Sequence, residues 1–165
     1  MDTRNERSGF SPRAGVVYTP FTSFDVFINY STSFRPNLFS DSAGNLFEPE
    51  TGKQFEGGVR YDLIPSQLRI SAAVFSITKE NVLVPDPTDP TNRRSILSGQ
   101  QKSDGFELNL MGRPLEGWDI MAGYSHFDAR VTKDTDATQI GLPLVDAPKN
   151  HVSLWSKYEL LWRSR

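Results

Sequence analysis

Hydrophobic and polar residues alternate with a period of two along seven stretches of the chain, which predicts seven β-strands with one apolar and one polar face each. The predicted strands are Pro12–Thr19, Asp25–Arg35, Gln54–Leu63, Leu68–Thr78, Ser103–Gly112, Trp118–Thr132 and Asn150–Glu159. Most of them approach the roughly 9–11 residues that a tilted membrane strand needs, whereas soluble strands average about five or six. The pattern predicts an all-β, antiparallel transmembrane β-barrel segment of about seven strands, which is incomplete on its own.

The connections between the predicted strands alternate strictly between short and long. The short ones are Pro20–Phe24, Ile64–Gln67 and Pro114–Gly117, and the long ones are Pro36–Lys53, Lys79–Lys102 and Lys133–Lys149. In a bacterial outer-membrane barrel, tight turns lie on the periplasmic side and long loops lie outside. A soluble β-sandwich has no reason to keep all its long loops at one end.

The third strand shows the two faces most clearly, with Phe55 and Val59 on one face and Glu56 and Arg60 on the other. The fourth strand is ambiguous, because its apolar positions change from even to odd numbers along its length. We predict a β-bulge near Ala72 and Ala73 that would return the later apolar residues to the same face.

Aromatic residues concentrate at both ends of the apolar faces. The apolar-face residues nearest the short turns are Tyr18, Phe24, Tyr61, Leu68, Leu110, Trp118 and Tyr158. Toward the long loops the same faces carry Tyr30, Phe34, Phe55, Phe106 and Tyr124. Aromatic rings are common in all strands, but belts at two heights on one face are typical of rings at lipid headgroups.

Composition removes several classes of function. The chain of 165 residues has a net charge of −2 with both signs interspersed, so we expect no nucleic-acid partner. It contains no cysteine, which excludes disulfides, cysteine-ligated metals and cysteine nucleophiles. The stretch Met1–Gly9 is polar and lacks the apolar centre of a secretory signal, so we interpret the sequence as a portion of a longer exported protein.

The residues that usually carry chemistry are poorly placed for it. His126 and His151 lie on separate predicted strands without ligand spacing to a partner, so neither a metal site nor a cofactor is expected. Ser125, His126 and Asp128 are close in sequence, but neighbours on a strand point to opposite faces, and Ser125 and His126 therefore cannot meet. We expect the protein not to be an enzyme.

Five blocks of this sequence resemble the TonB-dependent siderophore receptors of the bacterial outer membrane. They are Tyr30–Asn37 (YSTSFRPN), Glu48–Tyr61 (EPETGKQFEGGVRY), Phe75–Pro87 (FSITKENVLVPDP), Ser103–Trp118 (SDGFELNLMGRPLEGW) and Ala147–Tyr158 (APKNHVSLWSKY). Each block is a moderate signal, and their order and spacing together cover most of the chain.

The resemblance implies a barrel of about 22 antiparallel strands that is closed by a plug domain inside it. It also implies binding of a ferric siderophore at the outer mouth and uptake driven by the inner-membrane TonB complex. Residues 1–165 would be a partial barrel domain without the plug. The expected surroundings are the lipid bilayer and lipopolysaccharide of the outer membrane, and the expected contact with TonB uses N-terminal parts missing here.

Candidate ligand-binding residues are those on the polar face near the long loops and those in the second long loop. They are Arg35, Gln54, Phe127 and His151, with Arg93 and Arg94 in the loop. Ferric siderophores are often anionic or aromatic, which suits arginine and aromatic side chains. The polar residues Glu56, Arg60, Asp62, Glu107 and Asn109 are expected to line the interior of the barrel.

Other functions stay open at this point. A receptor of the same family for haem, cobalamin or a glycan is one alternative. A soluble β-sandwich or carbohydrate-binding module is another, and it would need water on its second face and long loops at both ends. A barrel enzyme such as an outer-membrane esterase or protease would need an inward Ser–His–acid or acid–acid cluster.

Overall fold

Seven strands form a single antiparallel sheet in the computed structural model, which describes residues 10–41, 44–91, 94–145 and 147–160. The strands are β1 (Arg13–Phe21), β2 (Phe24–Arg35), β3 (Glu50–Ile64), β4 (Leu68–Pro85), β5 (Ser95–Leu115), β6 (Trp118–Lys133) and β7 (Asn150–Tyr158). Each strand pairs with its neighbours in chain order. The predicted strands and their antiparallel order are confirmed. The described residues include no helix with the length and apolar character needed to cross a membrane.

The three short turns and the third long loop lie where the alternation predicts them, whereas β3 begins at Glu50, within the predicted first long loop. The turns leave few residues between strands, and Gly117 at the last of them adopts a left-handed φ of 78°. The third long loop folds back along β6, where the amide of Leu144 donates to the carbonyl of Ala129 over 2.9 Å. That contact satisfies backbone groups of β6 beyond the point where β7 begins.

The hairpin of β4 and β5 is much longer than the sequence predicts. These strands have 18 and 21 residues, so most of the predicted loop Lys79–Lys102 is strand. At about 3.3 Å per residue, β5 is about 70 Å long and continues well beyond the upper aromatic residues. The carboxylate of Asp89 accepts hydrogen bonds from the amides of Thr91 and Arg94 at 3.0 and 2.8 Å, and these bonds close the tip of the hairpin.

An irregular pairing separates the two halves of this hairpin. The register of β4 against β5 shifts between Lys79 and Val82. Asn81 lies in that gap with a left-handed φ of 58°, and its side-chain amide donates to the carbonyl of Pro49 over 3.0 Å. This bond fixes the end of the first long loop, just before β3, to the point where the hairpin leaves the predicted strand.

The predicted bulge near Ala72 and Ala73 is wrong. The pairing of β3 with β4 runs without a shift from Asp62 opposite Arg69 to Thr51 opposite Glu80. The apolar residues of β4 therefore change faces, and Phe75 lies on the polar side of the sheet.

Glycines on the neighbouring strands explain how large apolar side chains fit on the polar side. A Cβ atom at Gly105 would lie 2.8 Å from the ring of Phe75, and one at Gly58 would lie 2.7 Å from the ring of Phe27. Phe27 is only 4% exposed and Ala73 only 6%. The polar face thus contains a small apolar cluster, which fits because the glycines on the neighbouring strands have no side chains.

The opposite face is apolar from β1 to β7 and carries both predicted aromatic belts. Phe24 is in register with Tyr61 near the short turns, and Trp118 with Tyr158. Near the long loops the ring centroids of Tyr30 and Phe55 lie 4.7 Å apart, and those of Phe106 and Tyr124 lie 5.9 Å apart.

No other layer of described residues covers this apolar face, and large side chains on it are exposed, with Ile28 at 65%, Val74 at 64% and Val152 at 73%. Soluble proteins rarely expose a continuous apolar surface above a few hundred Å². The arrangement is therefore not that of a soluble β-sandwich, and the face requires an apolar environment.

Candidate functional site

The polar face holds a group of three charged side chains at its long-loop end, here called the mouth cluster: Arg35, Glu50 and Lys79. Arg35 ends β2 opposite Glu50, the first residue of β3, and Lys79 lies on β4. The Glu50 Oε2 atom is 2.9 Å from the Lys79 amine and 4.0 Å from the Arg35 guanidinium. The Glu50 side chain is 13% exposed, whereas that of Arg35 is 81% exposed. In this cluster the two cations are thus more exposed than the carboxylate between them.

Four of the predicted ligand-binding residues lie on the polar face, but they do not form one group. Gln54 on β3 lies two residues nearer the short-turn end than Gly52. Its side-chain amide donates a hydrogen bond to the Glu56 carboxylate over 3.1 Å. Phe127 is in register with Gly105, and His151 is in register with Ser125. Gln54 is opposite Ser31 and lies four residues along β3 from Glu50, the residue opposite Arg35. Phe127 and His151 lie across the sheet on β6 and β7.

Of the two arginines predicted in the second long loop, only Arg94 lies within the described residues. Arg94 lies at the hairpin tip, where its Nε atom is 3.8 Å from Asp86 and 3.7 Å from Asp89. Arg93 lies outside the described residues. Arg94 also lines a cleft of about 390 Å³ between the first long loop and the hairpin, together with Phe39 and Phe47. Hydrogen bonds from the side chain and amide of Thr88 hold the pKa of Asp86 below its usual range.

The predicted interior residues share the polar face as expected, and several are held by partners. The Arg60 guanidinium lies 4.3 Å above the centre of the Phe27 ring. Asp62 accepts two hydrogen bonds from Arg69 at 2.5 and 3.1 Å. Nearer the turns, Arg113 binds Asp119 in the same two-pronged way. Such paired charges fix side-chain positions while leaving the surface polar.

An apolar patch near the short-turn end of the polar face was not predicted. Met111 is in register with Met121, which is in register with Trp155. They are 57%, 50% and 49% exposed, and they line a cleft of about 530 Å³ with Arg60 and Arg69. Each of the three directly follows an apolar residue of the opposite face, and only the pairing between strands shows that they lie side by side.

Ser125, His126 and His151, on β6 and β7, are not arranged as a catalytic triad. Ser125 pairs with Glu107 and His151, whereas His126 pairs with Phe106 on the opposite face, so the predicted separation of Ser125 and His126 is confirmed. The row Glu107–Ser125–His151 does bring an acid, a serine and a histidine onto adjacent strands of the polar face. The serine lies in the middle, however, and activation of a serine requires the imidazole between the serine and the acid.

Within the described ranges, no group of three histidine, aspartate or glutamate residues is positioned to hold a metal ion. His126 instead shares the Asn150 amide oxygen with Tyr124, at 2.9 Å in each case. These contacts belong to the apolar face, at the height of the upper aromatic belt.

A single-layer sheet with an apolar, belted face and a charged opposite face defines a portion of the wall of a transmembrane β-barrel. The family model for the TonB dependent receptor-like β-barrel matches residues 1–165. The chain belongs to this family, whose members are receptors of the bacterial outer membrane. The apolar face is accordingly the lipid-facing side of the sheet.

Individual relatives point the same way. The metal-pseudopaline receptor of Pseudomonas aeruginosa is 38% identical over 90% of this chain and 21% of its own length. The ferrioxamine B receptor of Salmonella typhimurium is 35% identical over 96% of this chain and 22% of its own. The crystal structure of the Pseudomonas aeruginosa ferripyoverdine receptor superposes with a TM-score of 0.77 at 28% identity, over 94% of this chain and 21% of that one. The chain spans about a fifth of the length of these relatives.

Proposed function

We propose that residues 1–165 form part of the barrel wall of an outer-membrane receptor for TonB-dependent uptake of ferric siderophores. The observation that carries the proposal is the position of the mouth cluster. Its cations lie on the polar face, at the end of the sheet where the long loops are. Relatives named as receptors for ferrioxamine B, ferrichrome and ferripyoverdine match nearly the whole chain, which supports a ferric chelate as the ligand.

The remaining parts of such a receptor would come from outside this chain. The plug domain and the segment that contacts TonB belong to the portion of a full-length receptor that residues 1–165 do not supply. The wall itself catalyses no reaction in this proposal. Arg35, Gln54, Phe127, His151 and the loop arginines contribute to the ligand surface at the mouth, which the plug completes.

The lipid-facing side suggests where lipopolysaccharide meets the wall. Just beyond Phe55, the amine of Lys53 lies 3.0 Å from the carboxylate of Glu80, and Lys102 pairs with Asp104 at 2.9 Å. These charges lie on the loop side of the upper aromatic belt, at the height of the headgroups. They suit contact with the charged sugars and phosphates of the outer leaflet.

Iron uptake in a receptor-deletion strain tests the proposed function. The full-length receptor is expressed from a plasmid. Cells receive radioactive iron as one of a panel of ferric siderophores or as haem, or they receive labelled cobalamin in place of labelled iron. We expect TonB-dependent accumulation of iron from at least one siderophore. Accumulation of haem or cobalamin alone would contradict the siderophore assignment and favour another ligand for the same kind of receptor.

A further inference from the structure

The mouth cluster has an excess of positive charge. On the polar face of β2, β3 and β4, Arg35, Glu50 and Lys79 are the charged side chains between Gln54 and the irregular pairing at Asn81. Two cations share one carboxylate, so the cluster carries one net positive charge. A purely structural ion pair with Glu50 would require only one cation.

The two cations of the mouth cluster are more exposed than its carboxylate. Lys79 is in register with Gly52, and it reaches Glu50 diagonally, across a position that has no side chain. The carboxylate of Glu50 is 13% exposed, against 38% for Lys79 and 81% for Arg35. A molecule that contacts the polar face here therefore meets the more exposed amine and guanidinium rather than the carboxylate.

We propose that the ligand of this receptor is a negatively charged ferric chelate, and that Lys79 contacts its anionic oxygens together with Arg35. Glu50 is a positioning residue, because it holds both cations without itself reaching the ligand. The inference rests on the proposed uptake function and specifies the charge of the ligand. Ammonium and guanidinium groups bind carboxylate and catecholate oxygens through short, charge-assisted hydrogen bonds.

The same strands contain a matched control on the opposite face. Lys53 and Glu80 form an ion pair of 3.0 Å, close to the 2.9 Å of Lys79 and Glu50, and they lie on β3 and β4 at the same end of the sheet. Because Lys53 is on the lipid-facing side, K53M removes a similar pair without touching the mouth. Any effect that reflects only lost stability should appear in K53M and K79M alike.

The test measures the affinity of the purified full-length receptor for three probes by quenching of tryptophan fluorescence. The probes are an anionic ferric tris-catecholate, a neutral ferric trihydroxamate and a cationic ferric trihydroxamate that carries an ammonium group. We expect the tris-catecholate to bind most tightly. K79M should weaken its binding about tenfold or more, as loss of a hydrogen bond between charged groups does. K79R should restore most of the affinity, and K53M should leave it unchanged.

The salt dependence of binding tests the role of Glu50. Removing its charge in E50Q raises the net charge of the cluster, so affinity for the tris-catecholate should fall more steeply with salt. At high salt E50Q should bind more weakly than the unaltered receptor, because the cations are no longer held in place. A residue with a purely structural role would leave the slope against salt unchanged.

The outcomes separate this inference from the proposed function. Tighter binding of the neutral or cationic chelate, or equal losses in K79M and K53M, would overturn the assignment of an anionic ligand while leaving siderophore uptake intact. Failure of the unaltered receptor to bind any of the three chelates, together with failure of the uptake assay, would overturn both.

Discussion

Replacement of Leu108 by arginine tests which face of the sheet contacts lipid. Leu108 lies on β5, midway between Phe106 near the upper belt and Leu110 near the lower one, so it is about 7 Å along the strand from each. It is in register with Ala72 and Tyr124 on the same face. The side chain is therefore near the middle of the apolar band.

The expected effect follows from that depth. An arginine on the lipid face of a barrel costs about 2–4 kcal/mol at the bilayer midplane and about 0–1 kcal/mol near the interfaces. For L108R we expect a loss near the midplane range, equivalent to a roughly 30- to 700-fold smaller ratio of folded to unfolded protein. The next residue, Asn109, is on the polar face, so N109R should change the free energy of unfolding by no more than about 0.5 kcal/mol.

The assay is a reversible guanidinium titration of the full-length receptor in phospholipid vesicles, followed by tryptophan fluorescence. Migration in unheated SDS gels reports independently on the folded barrel. The reasoning is refuted if L108R destabilises the receptor no more than N109R does, because two adjacent substitutions on one strand would then not distinguish the faces.

Three further predictions address the strand packing and the loops. G105A should destabilise the receptor by about 1–3 kcal/mol through overpacking, because the new Cβ would lie 2.5 Å from a backbone oxygen. In the control G57A the nearest atom would lie 3.7 Å away, so this substitution should be tolerated. Equal unfolding midpoints for the two variants would contradict this. T138A should raise the pKa of Asp136, which hydrogen bonds from Thr138 now lower, and NMR titration of the carboxyl measures it. Because the folded pKa of Asp136 is depressed, its contribution to loop stability is present above the ordinary carboxyl pKa and lost as pH falls through the folded value. N81G keeps the left-handed backbone but loses the side-chain hydrogen bond to the first long loop, and N81A loses both. Proteolysis of that loop should therefore be slowest in the unaltered receptor, faster in N81G and fastest in N81A. Equal rates would show that the hydrogen bond does not fix the loop.

The sequence predicts the strands well because a membrane strand repeats every two residues over a long stretch. The alternation in β3 and the aromatic ends of the apolar face are local properties, and they require no knowledge of the partner strands. The extension of β4 and β5 is not visible in this way. Beyond Asn81 the residues of β4 are Val82, Leu83, Val84 and Pro85, which do not alternate, and a run rich in proline, aspartate and threonine follows them.

The errors and omissions share one physical cause, which is that pairing between strands is absent from a one-dimensional pattern. Phe75 is acceptable on the polar face only because Gly105 lies opposite, and without that information a bulge was the simpler prediction. Glu50 and Lys79 were missed as site residues because both fell within predicted loops. Arg35 is a sequence-based candidate because it ends a clearly alternating strand, and the structure places Glu50 opposite it.

The long β4–β5 hairpin changes what recognition at the outer surface requires of the protein. Its backbone is already ordered by a hydrogen-bonded ladder, and the tip is closed around Asp89. Ordering a flexible loop costs about 1–2 kcal/mol per residue in backbone entropy, and a partner that touches this hairpin would not incur that loss. Binding there would depend on preorganised shape and charge. Exposed side chains of the hairpin that do not bind Asp89 can thus be substituted, and the specificity of the surface changed, without disturbing the ladder that supports them.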